Sequence, residues 1–494
     1  MEKKIAFKNI VFSIILQLVT MVSGFVVTRI ILVQFGSEVN GLVSSVNQFL
    51  NYVQLLEGGL TSVIMAALYK PLSAGESDKV NSVVKAAQNF FKKIGLIYLV
   101  YAVGVAFVYP LCKKVCFDYK YCVILILVLG MNLFVQYFFS LTYKILINAD
   151  RRSYYVSLTQ IIITVLNTIS VIVCAKYFND IIVIKFFSAL IFFIQPIMFS
   201  LYVKKHYKLD LNVEPDKSAV KDRWNGFGIN LAYFIHTNTD VVVLTIFSTF
   251  ANVSIYGVYS MVIKAMKNLV MSISQAIVPS FGKTVAEGDR QKMNNVFDIY
   301  ELVMYAVSVV MFTCGIILIT PFVLIFTNDV VDADYNQKWF GIILAQAEMV
   351  YCVRDSYVAA AYSAGHFKQI SKYAYAEALI NIVISVILVH KIGLIGIAIG
   401  TLISMIYRMI AHIYYVKKNI LFRDYKKSVK AAVIFFGLEF LVYFVVTELF
   451  KFNINSYMSF VLYGAITFGI VSVLLGIAMF AFYRKETKYI LKIK

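Results

Sequence analysis

The sequence predicts an all-α polytopic membrane protein of about fourteen transmembrane helices: two parallel six-helix bundles followed by two more helices. Three observations lead there: an apolar composition, a lopsided distribution of basic residues and an internal repeat. Of 494 residues, 60% are hydrophobic and 15% charged, whereas a soluble chain carries about a quarter charged residues. Apolar windows of about 20 residues recur along the chain, each able to cross a hydrocarbon core about 30 Å thick.

The start, MEKKIAFKNI, places basic residues before an apolar run that continues past Val33 without a small-residue cleavage site. That pattern is a retained first helix, not a signal peptide. The windows are 8–34, 39–69, 90–111, 121–147, 154–176, 181–203, 225–248, 253–279, 297–326, 339–363, 372–390, 393–416, 429–449 and 456–483. Short loops join most of them; the longest polar connections are 204–224 and 280–296. Most of the 46 Lys and Arg residues fall at the N-terminus, in every second loop and at the C-terminus, including Lys92-Lys93, Arg151-Arg152, Lys204-Lys205, Lys417-Lys418 and Lys426-Lys427. The positive-inside rule then places both termini in the cytoplasm. This topology accounts for the net charge of +19 without nucleic acid as a partner. The six cysteines are scattered, and Cys112 and Cys116 have no histidine nearby to complete a zinc site.

Segments recur at an offset of roughly 213 residues. AGESDKVN, ending at Asn81, matches AEGDRQKMN, ending at Asn294. YVKK at 202–205 returns at 415–418, and LNTISVIV at 166–173 resembles INIVISVIL from Ile380. The repeat divides the chain into 1–215, 216–428 and an appendage, 429–494. Each copy holds an even number of helices, so both insert with the same orientation, and a substrate path is expected at the repeat interface.

The stretches TRIILVQFGSEVNGLVSS (28–45), LLEGGLTSVIMAALYKPLSAGESDK (55–79), YSAGHFK (362–368) and GLIGIAIGTLISMIYR (393–408) carry a resemblance. The chain resembles the multidrug/oligosaccharidyl-lipid/polysaccharide (MOP) exporter superfamily, whose fold is MATE-like. Within it, the chain looks like the polysaccharide-transporter branch, the O-antigen and capsular repeat-unit flippases. The resemblance implies a flippase that moves undecaprenyl-diphosphate-linked oligosaccharide from the inner to the outer leaflet of the bacterial cytoplasmic membrane. It also implies membrane lipids and glycan polymerase machinery as partners, and function as a monomer.

Ionisable side chains at membrane depth cost at least about 2.5–3.5 kcal/mol each, so they face protein or water. In 39–69, Asn40, Ser44, Asn47, Asn51, Gln54 and Gly58 form one polar stripe at helical spacing, with Gln48 and Glu57 at its edge. A helix lining a hydrated cavity tolerates such a stripe. Ser13, Gln17, Thr20, Gly24 and Thr28 in the first window suit close helix packing equally well. Five cations are staged by depth: Arg29 near the outer end, Lys264, Lys267 and Arg354 near the middle, and Arg408 towards the cytoplasm. Together they could hold a diphosphate as it crosses. Pairing with Glu348 or Asp355 is the structural alternative.

No GxxxxGK[ST] phosphate loop is present, so coupling to Na+ or H+ is expected, with Glu57, Asp240, Asp355 and Glu377 as candidate carboxylates. No cofactor or bound metal is expected. The DAD at Asp332–Asp334 lies in an outer loop and is not read as a transferase metal site. Gly58 and Gly59 are candidate hinge residues beside Glu57, since glycine permits a bend. Two transport alternatives stay open: a cation-coupled multidrug exporter of the same fold, and a flippase for a lipid-linked peptidoglycan precursor. A membrane-embedded polymerase would need a large outer loop, which the sequence lacks, so the reading is a transporter and not an enzyme.

Overall fold

The computed structural model describes residues 2–57, 59–113, 117–216, 218, 227–449 and 454–482. Cys116 and Gly58 lie outside them. Among the described residues there is no strand, and eleven helices are long and apolar enough to cross a bilayer. The chain is an all-helical, multi-pass membrane protein.

The helices are α1 (Glu2–Leu50), α2 (Gln54–Glu57), α3 (Leu60–Ala74), α4 (Ser77–Cys112), α5 (Tyr119–Val135), α6 (Leu141–Ala149), α7 (Ser153–Tyr177), α8 (Ile181–Phe192) and α9 (Ile194–His206). They continue with α10 (Phe227–Phe247), α11 (Phe250–Glu287), α12 (Arg290–Phe326), α13 (Lys338–Ser363), α14 (Phe367–Ile392), α15 (Leu394–Asn419), α16 (Lys426–Leu449) and α17 (Tyr457–Phe482). Within α1 the first two apolar windows form two helices that meet at a kink, where the Gly36 backbone leaves the helical region (φ 81°, ψ 177°). The second window then breaks into a 3₁₀ turn at Asn51–Val53, the short α2, and Gly59 in the left-handed region (φ 87°) before α3.

The connection 280–296, expected to be one of the longest polar loops, is almost wholly helical. Here α11 runs on to Glu287 and α12 starts at Arg290, where the Asp289 side chain accepts from Gln291 N and Lys292 N. The polarity of this stretch is that of helices extending past an apolar span, with Glu287 paired to Lys292 at 2.6 Å. Gly75 and Gly288, which align across the sequence repeat, hold the same left-handed turn at φ 71° and 73°.

The structure divides into two compact units, Met1–Phe234 with Thr249–Ser254, and Ile235–Ser248 with Ile255–Lys494. In the first, Leu42, Val46 and Leu50 of α1 bury with Phe91 and Tyr98 of α4, Leu125 and Ile126 of α5, and Phe199 of α9. The start of α11 is seated tightly on α1. Asn40 Nδ2 donates to Ser254 Oγ at 2.7 Å, and a β-carbon on Gly41 would lie 1.8 Å from the Phe250 carbonyl oxygen.

In the second unit, α14 and α15 approach through Gly396 and Gly400, a GxxxG spacing that lets helix backbones touch. A β-carbon on Gly396 would meet the Leu388 carbonyl at 2.6 Å, and one on Gly400 the Ser385 Oγ at 2.3 Å. Helices α16 and α17 pack on α12, through the stacked rings of Tyr305 and Phe435 (5.0 Å) and through Phe322 against Phe460 (5.3 Å). Val442, Val446 and Val471 extend the same seam.

Candidate functional site

The second unit holds seven of the nine charged candidates, four of them (Arg354, Asp355, Glu377 and Arg408) on α13, α14 and α15, where α15 packs against both of the others. Arg354 of α13 donates from Nη1 to Glu377 Oε1 of α14 at 3.2 Å, and Arg408 of α15 pairs with the other oxygen of Glu377. Glu377 is fully buried and Arg354 is 3% exposed. A carboxylate bridging two guanidiniums is how buried charges are tolerated at all. Arg354 and Arg408 are therefore occupied by the protein itself, as is Glu377, which sequence reasoning placed among the coupling carboxylates.

Elsewhere on α13, Glu348 pairs with Lys267 of α11 at 2.8 Å. Lys267 and Arg354 both lie against the Tyr351 ring, at 3.5 Å and 4.7 Å from its centroid. Such contacts stabilise a cation by about 0.5–2 kcal/mol. Asp355 accepts from Ser274 Oγ of α11 at 2.5 Å, and that hydroxyl also meets Tyr300 OH. Asp355 additionally interacts through space with Arg354 and Lys267. Lys264 differs from its neighbours. It is exposed, makes no ion pair or hydrogen bond with the described residues, and interacts only through space with Glu348, Lys267 and Asp240.

Asp240 of α10 is hydrogen-bonded by uncharged groups, with Lys264 and Glu348 reaching it only through space. Its Oδ2 accepts from Tyr256 OH and from Thr401 Oγ1, each at 3.0 Å, and Asn381 Nδ2 donates to the same threonine at 3.0 Å. The GxxxG contact is what brings Asn381 of α14 within reach of Thr401 of α15. Asp240 Oδ1, Asn381 Oδ1 and Ser385 Oγ are buried without a hydrogen-bond partner. Buried polar atoms are normally satisfied, and these three are among eighteen such side-chain atoms in the described residues. A set of carboxylate, amide and hydroxyl oxygens with no thiol or imidazole suits a small hard cation such as Na+, or a proton on Asp240.

In the first unit, Asn47, Gln48 and Asn51 are half-buried, Gln54 is exposed, and Gln54 Nε2 donates to Asn51 Oδ1 at 3.3 Å. Asn40, at the head of the stripe, is instead buried against Ser254. Arg29 is half-buried and belongs to the first unit. Glu57 accepts from Thr61 Oγ1 and from Tyr137 OH, the latter at 3.3 Å. Tyr137 belongs to a π-helical turn at Gln136–Ser140, a feature that concentrates at functional positions. Lys144 of α6, not singled out in the sequence, also interacts with Glu57.

Three further pairings escaped sequence reasoning. Lys417, counted among loop charges, is buried and pairs with Glu301 at 3.0 Å, where Tyr357 OH also donates. Asp298 is held by Arg423 and by Lys427, the latter at 3.1 Å. Glu439, inside the appended α16, is 2% exposed and accepts from Gln346 Nε2 of α13 at 2.6 Å. Glu439 alone had a readable signal, a carboxylate in the middle of an otherwise apolar window.

Fold and site together define a multi-pass helical protein built as known membrane transporters are. A solved structure of the lipid II flippase MurJ in an inward closed conformation is similar over 96% of this chain and 99% of that one, with TM-score 0.75 and 17% identity. An inward-facing multidrug resistance MATE family transporter of the MOP superfamily is similar over 81% and 96%, with TM-score 0.61 and 14% identity. The MATE multidrug transporter DinF-BH is similar over 83% and 96%, with TM-score 0.58 and 16% identity. At these identities the likeness is one of fold. No family model matches the sequence, and no curated protein does.

Proposed function

We propose that this chain is a flippase for an isoprenoid-diphosphate-linked saccharide, carried from the inner to the outer leaflet of the bacterial cytoplasmic membrane by alternating access. The observation that carries this reading is Lys264. Four cations on α11, α13 and α15 (Lys264, Lys267, Arg354 and Arg408) share three carboxylates, Glu348, Asp355 and Glu377. Lys264 is the one of the four with no direct ion pair among the described residues, Glu348 and Asp240 reaching it only through space. Lys264 lies about 21 Å along α11 from Phe250, a depth at which a solitary ammonium requires an anion. A diphosphate supplies one, whereas a cationic drug does not. An oligosaccharide repeat unit is the cargo we favour. The fold likeness to a lipid II flippase, which extends over more of this chain than the exporter likeness, supports a lipid-linked peptidoglycan precursor as the second reading.

Lys264→Gln should slow flipping of a lipid-linked oligosaccharide in proteoliposomes by at least about tenfold, the loss of one charge-assisted contact. An unchanged rate would remove the basis of the proposal. Surface glycan in a strain lacking the chain separates the cargoes: its loss with intact growth indicates repeat units, and lysis indicates peptidoglycan precursor.

Coupling follows from the same charges. A cation bound at Asp240 cancels a carboxylate that otherwise offsets Lys264, so ion and diphosphate should favour each other's binding. Linkage makes that effect reciprocal. Replacing choline by Na+ should tighten binding of the diphosphate lipid to wild type, and Asp240→Asn should abolish the sodium dependence. Equal sodium dependence in Asp240→Asn would place the ion elsewhere.

A further inference from the structure

Glu439 is a carboxyl group inside a membrane helix with no cation to meet it. The buried residues of α16, among them Ser428, Ala432, Phe435, Glu439, Val442 and Val446, recur every three or four positions. Glu439 therefore stands on the face turned to the protein and not to lipid. It lies about 20 Å along the helix from Lys426, near the middle of the span. Its described partner is the Gln346 amide of α13, whose Nε2 donates to Oε1 at 2.6 Å. Among the described residues it makes no ion pair.

The helices packed around it supply no countercharge. Along Tyr457–Phe482, α17 has no charged residue, and Tyr457 and Tyr463 are its titratable groups. On α12, Asp298 and Glu301 lie towards the Lys426 end of α16 and are held by Arg423, Lys427 and Lys417. The other titratable groups that α12 turns to α16 are Tyr305, stacked on Phe435, and Cys314, packed against Val442 and Val446. On α13, Glu348 is two residues from Gln346, hence on another side of that helix, and pairs with Lys267. On α16 itself, Tyr443 follows one turn after Glu439 and is half-buried. A carboxylate in these surroundings is an uncompensated buried charge, so the group is held as the neutral acid.

A polar cleft leads towards it. Lys427, Ala431, Phe435 and Glu439 follow one another at every fourth position, one row along α16. The first three, with Asp298, Glu301 and Tyr305 of α12, line a cavity of about 20 Å³, room for one water molecule. The stacked rings of Tyr305 and Phe435 stand at the end of that row, and Glu439 comes one turn further on. We propose that Glu439 is a proton-binding site of the appended helix, loaded and emptied through this cleft between α12 and α16. Its proton bears on a contact with α13, the helix that also carries Glu348, Arg354 and Asp355. The site uses none of the groups around Asp240 or Lys264 and does not depend on the cargo of the transporter.

The test is infrared spectroscopy of the purified full-length protein in detergent, because an undissociated carboxylic acid has a C=O stretch above the amide bands and a carboxylate does not. The difference between wild type and Glu439→Gln at neutral pH should show that band, and Glu439→Asp should keep it. On rapid dilution into heavy water the band should shift as the acid exchanges its proton. Ala431→Leu, which fills the cleft, should slow that shift several-fold, and Phe435→Ala, which opens it, should speed it. A loosened fold would hasten exchange in both variants, so slowing in Ala431→Leu reports the route and not a loss of stability. Absence of the band from the difference spectrum, or exchange in Ala431→Leu as fast as in wild type, would overturn the proposal.

Discussion

Glu377→Gln should destabilise the protein by about 3–5 kcal/mol, the usual result of removing one partner from a buried ion pair. The residue is fully buried and holds both Arg354 and Arg408. An amide keeps one acceptor oxygen of the two and cancels no charge, so two guanidiniums are left uncompensated inside the second unit. The measurement is the unfolding equilibrium in mild detergent. A second variant sharpens it: Glu377→Gln with Arg354→Met should recover part of the loss, because one stranded charge is removed with its partner. A single variant within about 1 kcal/mol of wild type, well short of the usual range, would mean that water reaches the cluster and that the arginines are available to substrate.

The second large effect is expected at Gly41. A side chain there would point at the Phe250 carbonyl oxygen from 1.8 Å, and backbone cannot rotate away as a flexible side chain can. Overpacking a core commonly costs about 1–3 kcal/mol, and Gly41→Ala should fall at or beyond the top of that range. Gly41→Val should prevent accumulation of folded protein. Gly104 is the control, since a β-carbon there meets nothing within 4 Å. Full-length protein in membranes, quantified for both alanine variants, checks the pair. Equal amounts would show that the α11 start can lift from α1 at little cost.

Much of the helical layout could be read from the chain because hydrocarbon leaves little choice. A span must be apolar for about 20 residues and must satisfy its own backbone. What stayed hidden depends on neighbours. Arg354, Glu377 and Arg408 come from three helices, and nothing in their spacing says that they meet. Lys417 follows a tyrosine-rich helix end and precedes a second lysine, so it looks like a cytoplasmic charge, yet α15 carries it inward to Glu301. Tyr137 reaches Glu57 only because α5 slips into a π-turn. The polar stripe was recognisable by period, but Asn40 proved to be an anchor for α11 and not part of a wet face. The oxygen cluster is the instructive intermediate case. Asp240 stood out as a charge in an apolar run, while its companions Asn381 and Thr401 are ordinary residues until GxxxG packing assembles them.

The interruption between Leu50 and Leu60 has a mechanical meaning. A regular helix resists bending because bending breaks ladder hydrogen bonds, and each break must be made good elsewhere. Here the ladder is already interrupted by the 3₁₀ turn and by Gly59, and the neighbouring run from α5 to α6 carries its own irregularity at Gln136–Ser140. The carboxylate of Glu57 ties the two together through Tyr137. A bend at either interruption would break fewer ladder hydrogen bonds than a bend in a regular helix. One phenol–carboxylate contact thus joins two places where regular helix geometry is already given up.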